Sequence, residues 1–155
     1  MIPRFRNILL PLDFTPKNQM AMEVAFEMAV REPAAVTLLH VIETIHDPQT
    51  EPDDELQQFY SRLESRAEDE LEYRARRFEE AGVRVFRRIR FGPRPGEIVR
   101  FADEHTIDLI VMSSHAVDRD HPATSLATIS YQVSVLCSCP IMLVKQPPVE
   151  SGTAD

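Results

Sequence analysis

At 155 residues with an apolar share of 43%, the chain is long enough for one substantial core and falls in the globular class. Its formal net charge of −8 sets it against sequence-independent nucleic-acid binding, which rests on Lys and Arg neutralising phosphates. No apolar run nears the ~18 residues of a bilayer span, so no membrane partner is expected. The basic N-terminus leads into a short run broken at Pro11, which lacks a signal-peptide core. Cys137 and Cys139 are too close for easy bridging. A reducing, cytoplasmic compartment is expected.

Residues 7–12 form a compact apolar run, read as a buried first strand. Thr15 and Pro16 then supply an N-cap and a first helical position. Met20, Val24, Ala25 and Met28 share one stripe of the helix that follows, and Pro33 ends it. Residues 36–42, rich in Leu and β-branched side chains, are a second buried strand. A polar loop at residues 43–52 precedes a long helical pattern from Asp53. There Tyr60, Leu63, Ala67, Leu71, Ala75 and Phe78 keep three- and four-residue steps until Gly82 stops the helix. Its other face reads as a solvated surface, with charges such as Arg66 and Glu70 at helical spacing.

Residues 83–91 alternate apolar side chains with Arg84, Arg87, Arg88 and Arg90, the pattern of a half-exposed strand near a sheet edge. The arginines are expected to be solvated or paired with acids of the long helix rather than to form an anion site. Residues 92–96 read as a turn, followed by a short helix with Ile98, Val99 and Ala102 inward and Glu97 near its positive end. A buried fourth strand spans residues 107–112. Leu126, Ile129, Val133 and Leu136 mark a last helix, and residues 141–144 a fifth strand. The order β-α-β-α-β-α-β-α-β implies a doubly wound parallel sheet with helices on both faces, because such crossovers are right-handed. A single domain over residues 1–146 is expected, with 147–155 as a disordered tail.

Four stretches carry a resemblance: Ile8-Leu9-Leu10-Pro11-Leu12-Asp13, Leu39-His40-Val41, Asp108-Leu109-Ile110-Val111-Met112-Ser113-Ser114-His115, and Cys139-Pro140-Ile141-Met142-Leu143-Val144. Together, in this order, they resemble the universal stress protein (UspA-like) domain. The resemblance implies a five-stranded parallel sheet in the order 3-2-1-4-5, with a ligand crevice between strands 1 and 4. It also implies a homodimer joined through the fifth strand, here Ile141, Met142, Leu143 and Val144, an apolar edge that would otherwise be open to association.

Some members of that family bind ATP. By resemblance, Asp13 after Pro11 lies near the ribose and Val41 meets the adenine with its backbone. The family's phosphate loop runs glycine, two residues, glycine, about nine residues, then glycine before Ser or Thr, so that backbone N–H groups cradle the phosphates. Here those positions fall on Ser113, Ala116, Ala127 and Thr128, with one additional residue in the spacing. Met112, Ser114 and His115 complete the candidate pocket. All three glycines are absent; none occurs between Gly96 and Gly152. A left-handed Ala costs ~1–2 kcal/mol, so two such replacements reduce triphosphate affinity by roughly one to three decades.

Competing chemistries fit less well. Ser113, Ser114, His115 and Asp13 do not make a triad by sequence adjacency, and no Gly-x-Ser-x-Gly elbow is present. His115, Asp118, Asp120 and His121 match no standard metal spacing. A phosphoacceptor receiver fails because residues 85–96 contain no Asp. The expected function is a non-enzymatic stress-response binding or signalling module with an impaired or absent ATP site. The alternative is an ATP- or AMP-binding sensor or slow ATPase, with AMP, adenosine or another small molecule as the ligand of a degenerate pocket. A third reading is a protein-interaction role with the pocket empty, through the acidic helix or dimer surface, its partner unnamed.

Overall fold

The computed structural model describes residues 4–114, 120–121 and 128–145. Five parallel strands alternate with four helices: β1 (Asn7–Pro11), α1 (Asn18–Arg31), β2 (Ala35–Ile42), α2 (Asp54–Glu80), β3 (Arg84–Phe91), α3 (Arg94–Glu104), β4 (Leu109–Ser114), α4 (Ile129–Leu136) and β5 (Ile141–Lys145). The sheet order is β3-β2-β1-β4-β5, the expected topology. Burial follows the strand period of two. Ile8, Leu10, Val36, Leu38 and Val111 face the α1/α2 layer, while Leu9, Leu39, Val41, Ile110 and Met112 face the α3/α4 layer. The sheet is therefore covered on both sides, which is why its central strands are near-continuous apolar runs.

Register explains where the molecule opens. β1 pairs with β2 as far as Pro11↔Leu39, and β4 pairs with β5 as far as Ser114↔Lys145. Between the two central strands the pairs are Ile8↔Leu109 and Leu9↔Ile110. Below that point Asp108 locks the strands together, its carboxylate accepting from the N–H groups of Arg6 at 2.8 Å and Asn7 at 3.0 Å. Above it they part, at the topological switch point.

Several expectations need correction. Thr15 does not cap α1. The helix begins at Asn18 after Lys17, without a side-chain cap, because Thr15 bonds to Asp13 and Phe14 takes a positive φ of 65°. The buried stripe of α1 is Asn18, Ala21, Ala25 and Ala29. Met20, Val24 and Met28 are half-buried on its flank, since only small side chains fit where helix and sheet approach closest. The expected turn at residues 92–96 ends early: α3 starts at Arg94 with Pro95 in its first turn, where a missing N–H costs nothing. Phe101 is buried on that helix and was missed. β4 runs on to Ser114 because β5 continues to pair with it. Leu136 is 59% exposed rather than inward, and Leu126 lies outside the described residues.

Other features match. Asp53 caps α2 by accepting from the Leu56 N–H at 2.8 Å, and Gly82 ends it at φ 78°. The β3 arginines are partly neutralised: Arg87 reaches Glu79 of α2 at 2.6 Å, and Arg90 reaches Glu104 at 2.7 Å. On the α2 surface the ion pairs are Arg74 with Glu70 and Arg77 with Glu23 of α1. Among the described residues no helix is long and apolar enough to cross a membrane.

Candidate functional site

A cavity of about 310 Å³ opens at the C-terminal ends of β1, β2 and β4, at the small end of the roughly 300–1,000 Å³ range of ligand sites. Pro11, Leu12 and Asp13 come from the end of β1, Leu39 and Val41 from β2, and Met112, Ser113 and Ser114 from β4. The starts of three helices complete it: Lys17 and Asn18, Arg94 and Ile98, and Thr128, Ile129 and Ser130. Leu39, Val41, Ile98, Met112 and Ile129 make an apolar wall. Besides Pro11 and Leu12, the rest are four hydroxyls, one amide, one carboxylate and two cations.

Asn18 organises the mouth. It is 3% exposed and bridges the gap that β1 and β4 leave between them. Its Oδ1 accepts from the backbone N–H groups of Asp13 at 3.0 Å and Phe14 at 2.9 Å. Its Nδ2 donates to the Ser113 Oγ at 3.0 Å. The sharp turn at Phe14, a left-handed conformation costly for a side chain with a Cβ, is thus held by an acceptor on its own N–H.

Asp13 is held in turn by Thr15, whose N–H and hydroxyl both donate to Oδ1, at 2.9 and 2.6 Å. Burial raises the Asp13 carboxyl pKa, but the Thr15 hydrogen bonds and the charges of Arg94 and Lys17 outweigh it. The net shift is below the ordinary 3.8. Asp13 is therefore a carboxylate at neutral pH, suited to accept from ligand hydroxyls.

His40 lies behind this turn, its Nδ1–H donating to the Leu12 carbonyl at 2.7 Å. Its ring stacks on Phe14 with centroids 4.2 Å apart, and the Arg74 guanidinium sits 4.9 Å from the Phe14 ring centre. Burial lowers the His40 pKa; the Leu12 bond and Asp13 oppose that, and Arg94 and Arg74 reinforce it. The net direction is downward from 6.5. His40 is a neutral support for the Asp13–Phe14 turn.

On the far side Thr128 caps α4, its Oγ1 accepting from the Tyr131 N–H at 3.3 Å, which sets Ile129 and Ser130 against the cavity. Of the residues singled out in the sequence, Pro11, Asp13, Val41, Met112, Ser113, Ser114 and Thr128 meet in this one cavity. His115, Ala116 and Ala127 lie outside the described residues, as do His115 and Asp118 of the metal set. Among the described residues no cluster of three or more His, Cys, Asp or Glu is placed to hold a metal. Cys137 and Cys139 are free thiols beside the α3/α4 core, and burial pushes Cys139 above its ordinary pKa.

Sequence reasoning missed Asn18, Lys17, Arg94 and Ser130. Asn18 had a legible signal, since it falls in phase with Ala21, Ala25 and Ala29 and so belongs to a buried face. A buried amide must be bonded, and the partners within reach are at the switch point. Arg94, inside a Pro-rich turn, carried no such signal.

The family model described as the Universal stress protein family matches residues 4–145. The chain belongs to that family. Comparison with curated proteins gave no match. Among solved structures, universal stress protein UspA from Lactobacillus plantarum superposes with a TM-score of 0.77 at 24% identity, covering 92% of this chain and 99% of that one. A universal stress protein in complex with cAMP gives 0.72 at 14%, with coverage of 92% and 98%. A universal stress protein family protein from Arabidopsis thaliana with AMP bound gives 0.67 at 18%, with coverage of 96% and 97%. At these identities the likeness establishes the universal stress protein fold.

Proposed function

We propose that this universal stress protein is a non-enzymatic binding module of the cytoplasm whose switch-point pocket accepts an adenine mononucleotide and holds a triphosphate poorly. One combination of observations carries the reading. An apolar-walled cavity with an ionised Asp13 is present at the strand ends, while the loop sequence joining β4 to α4 contains no glycine. The wall suits a base and Asp13 suits the ribose hydroxyls. Positions 113, 116 and 127, as Ser and Ala, lack the freedom that lets backbone N–H groups close on successive phosphates. The AMP and cAMP bound by two proteins of the same fold support the ligand class. Residues 1–146 would act as one domain, 147–155 as its tail.

The same reading extends to assembly. β5 is a sheet edge on which Met142 and Leu143 are exposed, and pairing through Ile141–Lys145 would cover it. Calorimetric titration with AMP and with ATP–Mg²⁺ tests the ligand reading. The expected result is AMP binding with ATP weaker; ATP binding at micromolar strength would sink the claim of a lost triphosphate grip.

A further inference from the structure

We propose that Arg94 sets the ligand class of this pocket, its guanidinium taking a single phosphate in place of the backbone cradle that the loop sequence lacks. The inference rests on the mononucleotide reading above and assigns its charge recognition to one side chain.

Arg94 lines the same cavity as Asp13, Asn18 and Ser113. Its backbone sits at the first position of α3 between Pro93 and Pro95, and fixed proline φ values on both sides hold the base of the side chain in place. Its ion pair runs from Nε to the exposed Glu43 at 4.0 Å, a surface contact that contributes little and can be exchanged for a ligand anion. Arg94 and Asp13 line the same cavity, and the charge of Arg94 lowers the pKa of both Asp13 and His40. Arg presents a planar fork that matches one phosphate with two parallel hydrogen bonds. One fork serves one phosphate; it does not replace a cradle that follows three. The occupant it selects is a nucleoside monophosphate over both the neutral nucleoside and the triphosphate.

The test is calorimetry on the full chain with AMP, adenosine and ATP, for wild type, Arg94→Gln and Arg94→Lys. A charged hydrogen-bonded pair of this kind is worth roughly ten- to a hundredfold in affinity. Wild type should prefer AMP to adenosine by that factor. R94Q should bring AMP down to the adenosine level with adenosine unchanged, and R94K should keep part of the preference. An AMP-to-adenosine ratio that R94Q leaves intact overturns the assignment while the mononucleotide reading stands. Equal loss of AMP and adenosine in R94Q also overturns it, because the side chain would then serve base, sugar or fold. Wild-type protein that binds neither ligand refutes the mononucleotide reading, and the role of Arg94 falls with it.

Discussion

Removing the Asn18 amide is the most direct probe of the site's construction. In Asn18→Ala three hydrogen bonds vanish together: those from the Asp13 and Phe14 N–H groups to Oδ1 and that from Nδ2 to Ser113. With each bond worth about 0.5–1.5 kcal/mol net, the loss amounts to about 1.5–4.5 kcal/mol. That is a large part of the ~5–15 kcal/mol that holds a domain folded. The damage should also be local. Phe14 keeps its φ of 65° only while something accepts from its N–H, so the β1–α1 turn should relax and Asp13 should lose its fixed place.

Urea denaturation measures the first effect, and amide hydrogen exchange at Asp13 and Phe14 the second. Asn18→Asp separates them: the carboxylate still accepts from both N–H groups, and the Ser113 hydroxyl can turn to donate, but a second negative charge joins Asp13. Its stability should recover towards wild type as the pH is lowered and the added carboxyl is neutralised. A loss under about 0.5 kcal/mol in Asn18→Ala, within the range of an ordinary surface change, with unchanged exchange at both amides, would refute the clamp.

Three further outcomes follow from the geometry. His40 is depressed below 6.5 by burial, so as pH falls the unfolded chain binds this proton first and stability drops from about pH 6.5 downward. In His40→Gln that acid-side decline should be shallower in denaturation curves taken across the range, and parallel curves would exclude the linkage. On the proposed pairing through β5, Leu143→Glu places a charge on that exposed edge and should leave a monomer in sedimentation where wild type sediments as a dimer, with unchanged circular dichroism; a wild-type monomer would refute the pairing. Gly92 has a φ of 137°, and an added Cβ would lie 3.1 Å from Glu97 Cγ. Gly92→Ala should therefore cost about 1–3 kcal/mol by chemical denaturation.

Sheet topology was legible because each buried strand is an apolar run and each crossover needs a helix. Asp53 and Gly82 marked the ends of α2 by capping chemistry that is local in sequence. The start of α1 was not legible for the opposite reason. Thr15-Pro16 is a sound local cap signal, but the Thr15 hydroxyl is turned onto Asp13, and that orientation depends on how β1 ends. Leu136 is exposed although its spacing matches Val133, because it is the last residue of a short helix that packs chiefly on α3 and β4. Motif residues on strand ends were found; pocket side chains on helix starts were found only where the family pattern marked them.

On the proposed reading of a weakened triphosphate grip, Asn18 also accounts for how the pocket keeps its shape. Every bond in the clamp lies among residues 13, 14, 18 and 113, and the apolar wall is core shared with α3 and α4. Of the three positions where the family pattern has glycine, 113 takes part in the clamp, through the Ser113 Oγ. Folding therefore protects the base-sized cavity and the Asp13 turn, Ser113 included, since losing the clamp costs stability directly. The triphosphate grip has no such protection: Ala at a loop position costs affinity only when a phosphate is present. On the proposed reading, and Ser113 aside, the two halves of the site are under separate constraints. Asn18→Ala should thus lower stability and ligand binding together, whereas Ala127→Gly should change triphosphate affinity with stability nearly unmoved. Denaturation and titration of the two variants side by side check this, and a common loss in both would contradict it.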